Sequence, residues 1–312
     1  MRKLKILLVV ASLALCLTGC GETAPLAQDY LSGEPISESA SLDAGKKTPD
    51  PSGGSASTIE TPAPAETKAP GFGEETRQSL ACFLKTALLP VGNTMYVWGG
   101  GWNEEDTGAG PEACRIGVSP TWKAFADKQT SDYDHHKVRY QIHDGLDCSG
   151  YVGWLAYNIF ETEDGHEGYV FKSTDVAKTF SSYGWGDFIA KKDVKDWKPG
   201  DVASMEGHVW ISLGTCKDGS VLLVHASPPG VRLCGTQPET YSGLSEAAIL
   251  AREYMSEYYP DWYERFPNFI ASDTYLTSSS QLRWNEETFP DANAVRELSP
   301  EELLSLLFGE TN

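Results

Sequence analysis

Positive charge is scarce in this 312-residue chain: 25 Lys and Arg stand against 44 Asp and Glu, a formal charge of −19. The shortage deepens toward the end, where residues 236–312 hold fourteen acids, four arginines and no lysine. A surface of this sign repels phosphate backbones and anionic headgroups, which argues against nucleic acid and against electrostatic docking on wall polymers or lipid. Also missing is an apolar run long enough to span a bilayer; residues 6–17 fall well short of the ~20 that an ordinary membrane helix needs. No CxxC pair and no His/Cys spacing typical of a zinc site occurs, so no metal is expected. Large apolar residues are few between positions 20 and 73, and such a segment buries too little surface to offset chain entropy. No internal repeat is visible.

What is present begins with an address. Arg2, Lys3 and Lys5 precede the apolar run, which ends in Leu17-Thr18-Gly19-Cys20. A basic start, an apolar core and small residues read as an export signal. The ending resembles the lipobox of bacterial lipoproteins. That resemblance implies loss of residues 1–19, a lipid on Cys20, and an extracytoplasmic protein anchored to the membrane. Residues 20–73 are then a disordered tether.

The remaining 239 residues, 74–312, suffice for one substantial core. A helix is predicted over about 74–89, where Leu80, Phe83, Leu84, Ala87 and Leu88 recur at helical spacing before Pro90. Residues 96–101 are turn-rich, and 103–143 read as a long insertion with little periodicity. Further helices are expected from Cys148 and over 174–181. Lys198-Pro199-Gly200-Asp201 then launches strands at 202–205, 208–213, 220–226 and 231–233, an antiparallel meander. A helix is expected over 244–258. Ser299-Pro300-Glu301-Glu302 is a capping box that opens a last one. Helices first and strands second predict an α+β fold with segregated layers.

The chemistry centres on three residues. Cys148 sits where a loop becomes a helix, and the positive end of a helix lowers a thiol's pKa while its free N–H groups can hold an oxyanion. A small buried cysteine at a helix end would explain Cys148 alone. The balance shifts with His208, which opens a strand, and His225, which closes the next: together they make a nucleophile–base–orienter chain. With a turn centred on Asp218-Gly219, His208 lies opposite Pro229, four residues along the strand from His225, and strong twist or a bulge must close that gap. Of the other cysteines, Cys16 leaves with the signal. Cys82, Cys114, Cys216 and Cys234 permit disulfides of undetermined pairing.

Tyr96-Val97-Trp98-Gly99-Gly100, Asp147-Cys148-Ser149-Gly150, Pro199-Gly200-Asp201 with Gly207-His208-Val209, and Val224-His225-Ala226-Ser227 follow one another in the chain. Over about residues 80–235 this ordered set resembles the motifs of the NlpC family, papain-like cysteine peptidases of bacterial cell walls. The resemblance implies a papain-like fold, with Cys148 as nucleophile, His208 as general base and acid, and His225 as its orienter. It also implies that Tyr96 lines the site, and that Asp147 and Ser149 grip the free amino terminus of a trimmed stem peptide. Asp147 would cap its helix in any case.

The domains expected are a signal at 1–19, a tether at 20–73, a catalytic region at 74–235 with an insertion at 103–143, and an acidic extension at 236–312. The insertion departs from the family pattern, and its Asp132, Asp134, His135, His136, His143 and Asp144 read as a solvated polar loop. The expected substrate is a peptidoglycan stem peptide or muropeptide, cut without a cofactor between γ-D-glutamate and a diamino acid. The alternatives are an N-acetylmuramoyl-L-alanine amidase with the same thiol machinery and a non-catalytic lipoprotein that binds wall peptide.

Overall fold

The computed structural model describes residues 77–161 and 167–310. The signal, the lipid-site Cys20, the tether and the first residues of the predicted helix at 74–89 lie outside that range.

The elements, in chain order, are α1 (Leu80–Leu88), β1 (Met95–Tyr96), α2 (Pro120–Ala126), β2 (Gly145–Leu146), α3 (Cys148–Phe160), α4 (Val176–Ser182), β3 (Gly186–Ile189), β4 (Val202–Met205), β5 (His208–Thr215), β6 (Val221–Ser227), β7 (Gly230–Gln237), α5 (Glu246–Tyr258), α6 (Pro260–Arg265), β8 (Ile270–Ser272), α7 (Thr274–Ser278), β9 (Ser280–Trp284) and α8 (Pro300–Phe308). Together they form an α+β fold. One sheet runs in the order β2-β1-β7-β6-β5-β4-β9-β3, with β8 added beside β7. All its pairings are antiparallel except β1 with β2 and β7 with β8. No helix among the described residues is long and apolar enough to cross a membrane.

Local chemistry sets the helix starts. Ser79 accepts from Cys82 N–H and opens α1, so the predicted helix begins later than periodicity alone indicated. Ser245 caps α5, and at α8 both halves of the capping box on Ser299 and Glu302 are made. The meander matches its predicted strands, with β7 extended to residue 237.

The segment after residue 237, set apart on the sequence as an extension, supplies strands to this same sheet. β9 pairs with both β4 and β3, and β8 with β7. On β9, Arg283 donates to both oxygens of the buried Asp201 carboxylate, at 3.0 and 2.7 Å, and Gln281 donates to it at 2.7 Å. The turn that launches the meander is therefore clamped from the C-terminal side.

The insertion at 103–143 carries α2 and a single 3₁₀ turn at His135–Lys137, the rest being loop. It is fastened to α3 through Asn158, whose side chain accepts from Gly117 N–H at 2.6 Å and donates to Arg115 O at 3.0 Å.

The sheet's two faces differ. Val209, Ile211, Leu213, Val224, Ala226, Val231 and Leu233 point into the main core with α1, α3 and α5. Ala203, Trp210, Leu223 and Cys234 form a smaller cluster on the other face with Trp197 and Ala271.

Candidate active site

Cys148 is the first residue of α3. Asp147 caps the helix, its carboxylate accepting from Gly150 N–H at 2.7 Å, Ser149 Oγ–H at 2.9 Å and Gly99 N–H at 3.2 Å. Trp102 Nε1–H in turn donates to Ser149 Oγ at 2.9 Å. Both side chains proposed to grip a substrate amine are thus engaged in holding the helix start. Backbones meet closely here: Asp147 N–H donates to Gly100 O at 2.8 Å, and a Cβ on Gly150 would stand 1.9 Å from that oxygen. Only glycine fits at position 150, and a Cβ on Gly100 would likewise stand 2.5 Å from Gly145 O, which gives the glycines of these two motifs a packing reason.

His208 opens β5 and His225 lies in β6. Pairing of Ile211 with Val224, continued along the strands, brings His208 level with Ser227, two residues from His225 instead of the predicted four. Pairing of Thr215 with Val221 at the turn removes one residue of that gap, and the bulge between Ser212 and Gly214 removes the other. His208 Nε2 and His225 Nδ1 then meet at 2.9 Å, with rings nearly perpendicular at 76°. His208 is 8 % exposed and His225 2 %.

The sulfur of Cys148 lies against the N–H of Val209, the residue after His208, and against the N–H groups of Ser149 and Cys148 itself. Among the described residues no hydrogen bond joins this sulfur to either imidazole. The structure unites the two histidines directly and meets the thiol at the start of the strand that carries His208.

The electrostatics correct one expectation. The helix start predicted a thiol with lowered pKa. Burial, aided by the Asp147 carboxylate, pushes the Cys148 thiol up to about 12 against the pull of its three N–H neighbours. Burial and the Arg232 guanidinium hold His208 down to about 3, and His225 well below its usual range. Desolvation outweighs the helix start because sulfur and imidazoles are all withdrawn from water. Burial therefore leaves both the thiol and the imidazoles neutral. Burial also lifts Asp147 to about 6.

Tyr96 is buried in β1, its N–H donating to Pro229 O at 2.8 Å and its carbonyl accepting from Tyr133 Oη at 2.6 Å. The insertion thus reaches the site's margin, where the His135 ring packs edge-on to Tyr96 at 5.6 Å. Asp134, His135 and His136 bring potential ligand atoms within 4.8 Å of one another. Asp134 is already engaged by His136 N–H and Lys137, as in an ordinary capped polar turn. No disulfide joins any two of Cys82, Cys114, Cys148, Cys216 and Cys234.

Two residues here escaped the sequence reading. Arg232 sits directly opposite His225 across β6 and β7, 5 % exposed, with Nη1 donating to Ser227 O and to Gly230 O at 3.2 Å. Its signal was the alternation of β7, usable only once the register was known. Tyr275 on α7 packs over His208 at 5.2 Å and His225 at 6.2 Å between ring centroids. Nothing in its local sequence announces that contact.

Comparison of the chain with known protein families, with curated proteins and with solved structures finds no match.

Proposed function

We propose that this chain is a papain-like cysteine peptidase of NlpC type, tethered outside the cytoplasm through Cys20, that cleaves peptidoglycan stem peptides. The observation that carries the reading is the 2.9 Å bond between His208 Nε2 and His225 Nδ1, made at the start of the strand whose next N–H touches the Cys148 sulfur. With Nε2 engaged by His225, Nδ1 is the nitrogen of His208 left for the thiol proton. The base role also sets the tautomers: His208 Nε2–H donates to His225 Nδ1, so that His225 carries its own proton on Nε2.

The thiol starts neutral, so proton transfer accompanies attack. As the Cys148 S–C bond forms at a peptide carbonyl, the thiol proton passes to His208. The helix-start N–H groups beside the sulfur are placed to receive the developing oxyanion. His208 returns the proton to the departing amine as the C–N bond breaks. Water then attacks the thioester while His208 takes its proton, and the acid leaves as the thiol is restored. The sequence needs neither metal nor organic cofactor.

The scissile bond proposed is that between γ-D-glutamate and the diamino acid. Digestion of defined muropeptides, read by fragment mass, tests this. Wild type should release a fragment with a free diamino-acid amino terminus, and Cys148→Ala should release none. A free L-Ala amino terminus would reassign the enzyme as an amidase. A wild type inert on every muropeptide, with an unreactive thiol at position 148, would make it a wall-binding module.

A further inference from the structure

The C-terminal segment has no motif of its own, yet it supplies the group that covers both candidate catalytic histidines. Strands β8 and β9 anchor it to opposite parts of the sheet, on β7 and on β3 and β4. Between these anchors, α7 crosses the sheet face that is turned away from α3. There the ring of Tyr275 lies 5.2 Å from His208, 6.2 Å from His225 and 6.2 Å from Trp210. Tyr275 is half-buried, whereas the two imidazoles beneath it are buried. The Trp210 indole donates to Ser279 Oγ at 3.1 Å, which pins the end of α7 to β5 beside the pair.

We propose that Tyr275 is a positioning residue for the His208–His225 pair: its ring closes the outer face of the sheet over both imidazoles and keeps bulk water off them. The positioning role rests on His208 acting as base; the cover itself does not. The charged group acting on both imidazoles is Arg232 on β7, whose side chain also hydrogen-bonds Cys234; Cys148, beside Asp147 at the start of α3, meets β5 at the N–H of Val209, next to His208. Arg232 opposes protonation of the imidazoles, and among the described residues no carboxylate pairs with it. The histidines stay neutral while dry, and water admitted from the Tyr275 side would solvate the imidazolium.

The test follows the imidazole signals of the full-length protein by NMR across pH, without substrate, beside the pH dependence of Cys148 alkylation by iodoacetamide. In Tyr275→Ala the titration midpoints of His208 and His225 should rise by about one pH unit or more, and the alkylation profile should move with them. Tyr275→Phe should titrate as wild type. If the alanine variant does not fold, Tyr275→Gln, which keeps side-chain length but admits water, takes its place with the same upward shift expected. Unchanged midpoints in a folded Ala or Gln variant would overturn the proposal. So would an equal shift in Tyr275→Phe, which would move the role from ring to hydroxyl. Because the titration needs no substrate, a wild type that hydrolyses no muropeptide sinks the proposed function and leaves the cover intact.

Discussion

The two faces of strands β5, β6 and β7 obey one rule of alternation but are built for different ends. Toward α3 the side chains are wholly apolar: Val209, Ile211, Val224, Ala226, Val231 and Leu233 sit at or near zero exposure in the main core. On the opposite face the same strands carry His208, Trp210, His225, Arg232 and Cys234, with Tyr275 laid across the histidines. The first face is where stability is generated, because burying hydrocarbon is favourable wherever it fits. The second withdraws two imidazoles and a guanidinium from water with no carboxylate paired to them among the described residues, which costs stability. The two imidazoles sit on the face that the core can spare, while Cys148 belongs to the main core at the start of α3.

That contrast yields three measurements. The largest effect should come from the apolar face. Leu233→Ala should lose about 3 kcal/mol in urea unfolding through a cavity, while leaving the imidazole titrations where they are. Coupled movement of both quantities would break the separation of the faces.

Acid should expose the cost on the other face. His208 is held from its ordinary 6.5 to about 3, so its neutral form contributes stability above pH 6.5 that is lost as pH falls toward 3. His225 adds to this in the same direction. Asp147 acts oppositely: raised to about 6, it regains stability as pH falls from 6 toward 3.8. The histidines outweigh it, being two and further displaced. The urea midpoint of wild type should therefore fall between pH 7 and pH 4.5 by more than that of a His208→Gln, His225→Gln double variant. Equal losses would show that the imidazoles are not buried neutral.

The smallest effect on stability should come from Arg232→Met. Replacing a buried cation that has no carboxylate partner among the described residues by an apolar chain should change unfolding free energy by no more than about 1 kcal/mol. It should nonetheless raise the titration midpoints of His225 and His208. A large loss of stability with unmoved midpoints would make Arg232 a scaffold for the Ser227–Gly230 turn and nothing more.

Much of the fold was legible in residue order. The strands expected at 202–205, 208–213 and 220–226 are found at 202–205, 208–215 and 221–227, and the cap at Ser299 followed from its capping box, because these signals act within a few residues. The helix beginning at Cys148 was equally local, set by a capping Asp147. Less legible were β3, β8 and β9, which are short and polar enough to be strands only because a neighbour's edge accepts them. At the site, Cys148, His208 and His225 stood out by residue type and order. Arg232 and Tyr275 did not, since their relevance depends on strand register and on a segment far along the chain.

The chain order of thiol and imidazoles, the face each side chain takes and the helix that starts at the cysteine are local properties, determined by sequence alone. The turn register and the bulge at Ser212–Gly214 that together bring two imidazoles to bonding distance belong to the assembled sheet. So does the neutrality of thiol and histidines. A helix end or a nearby ring acts through adjacent bonds, but withdrawal from water is a collective effect of every element packed around the group, and only the tertiary structure supplies it.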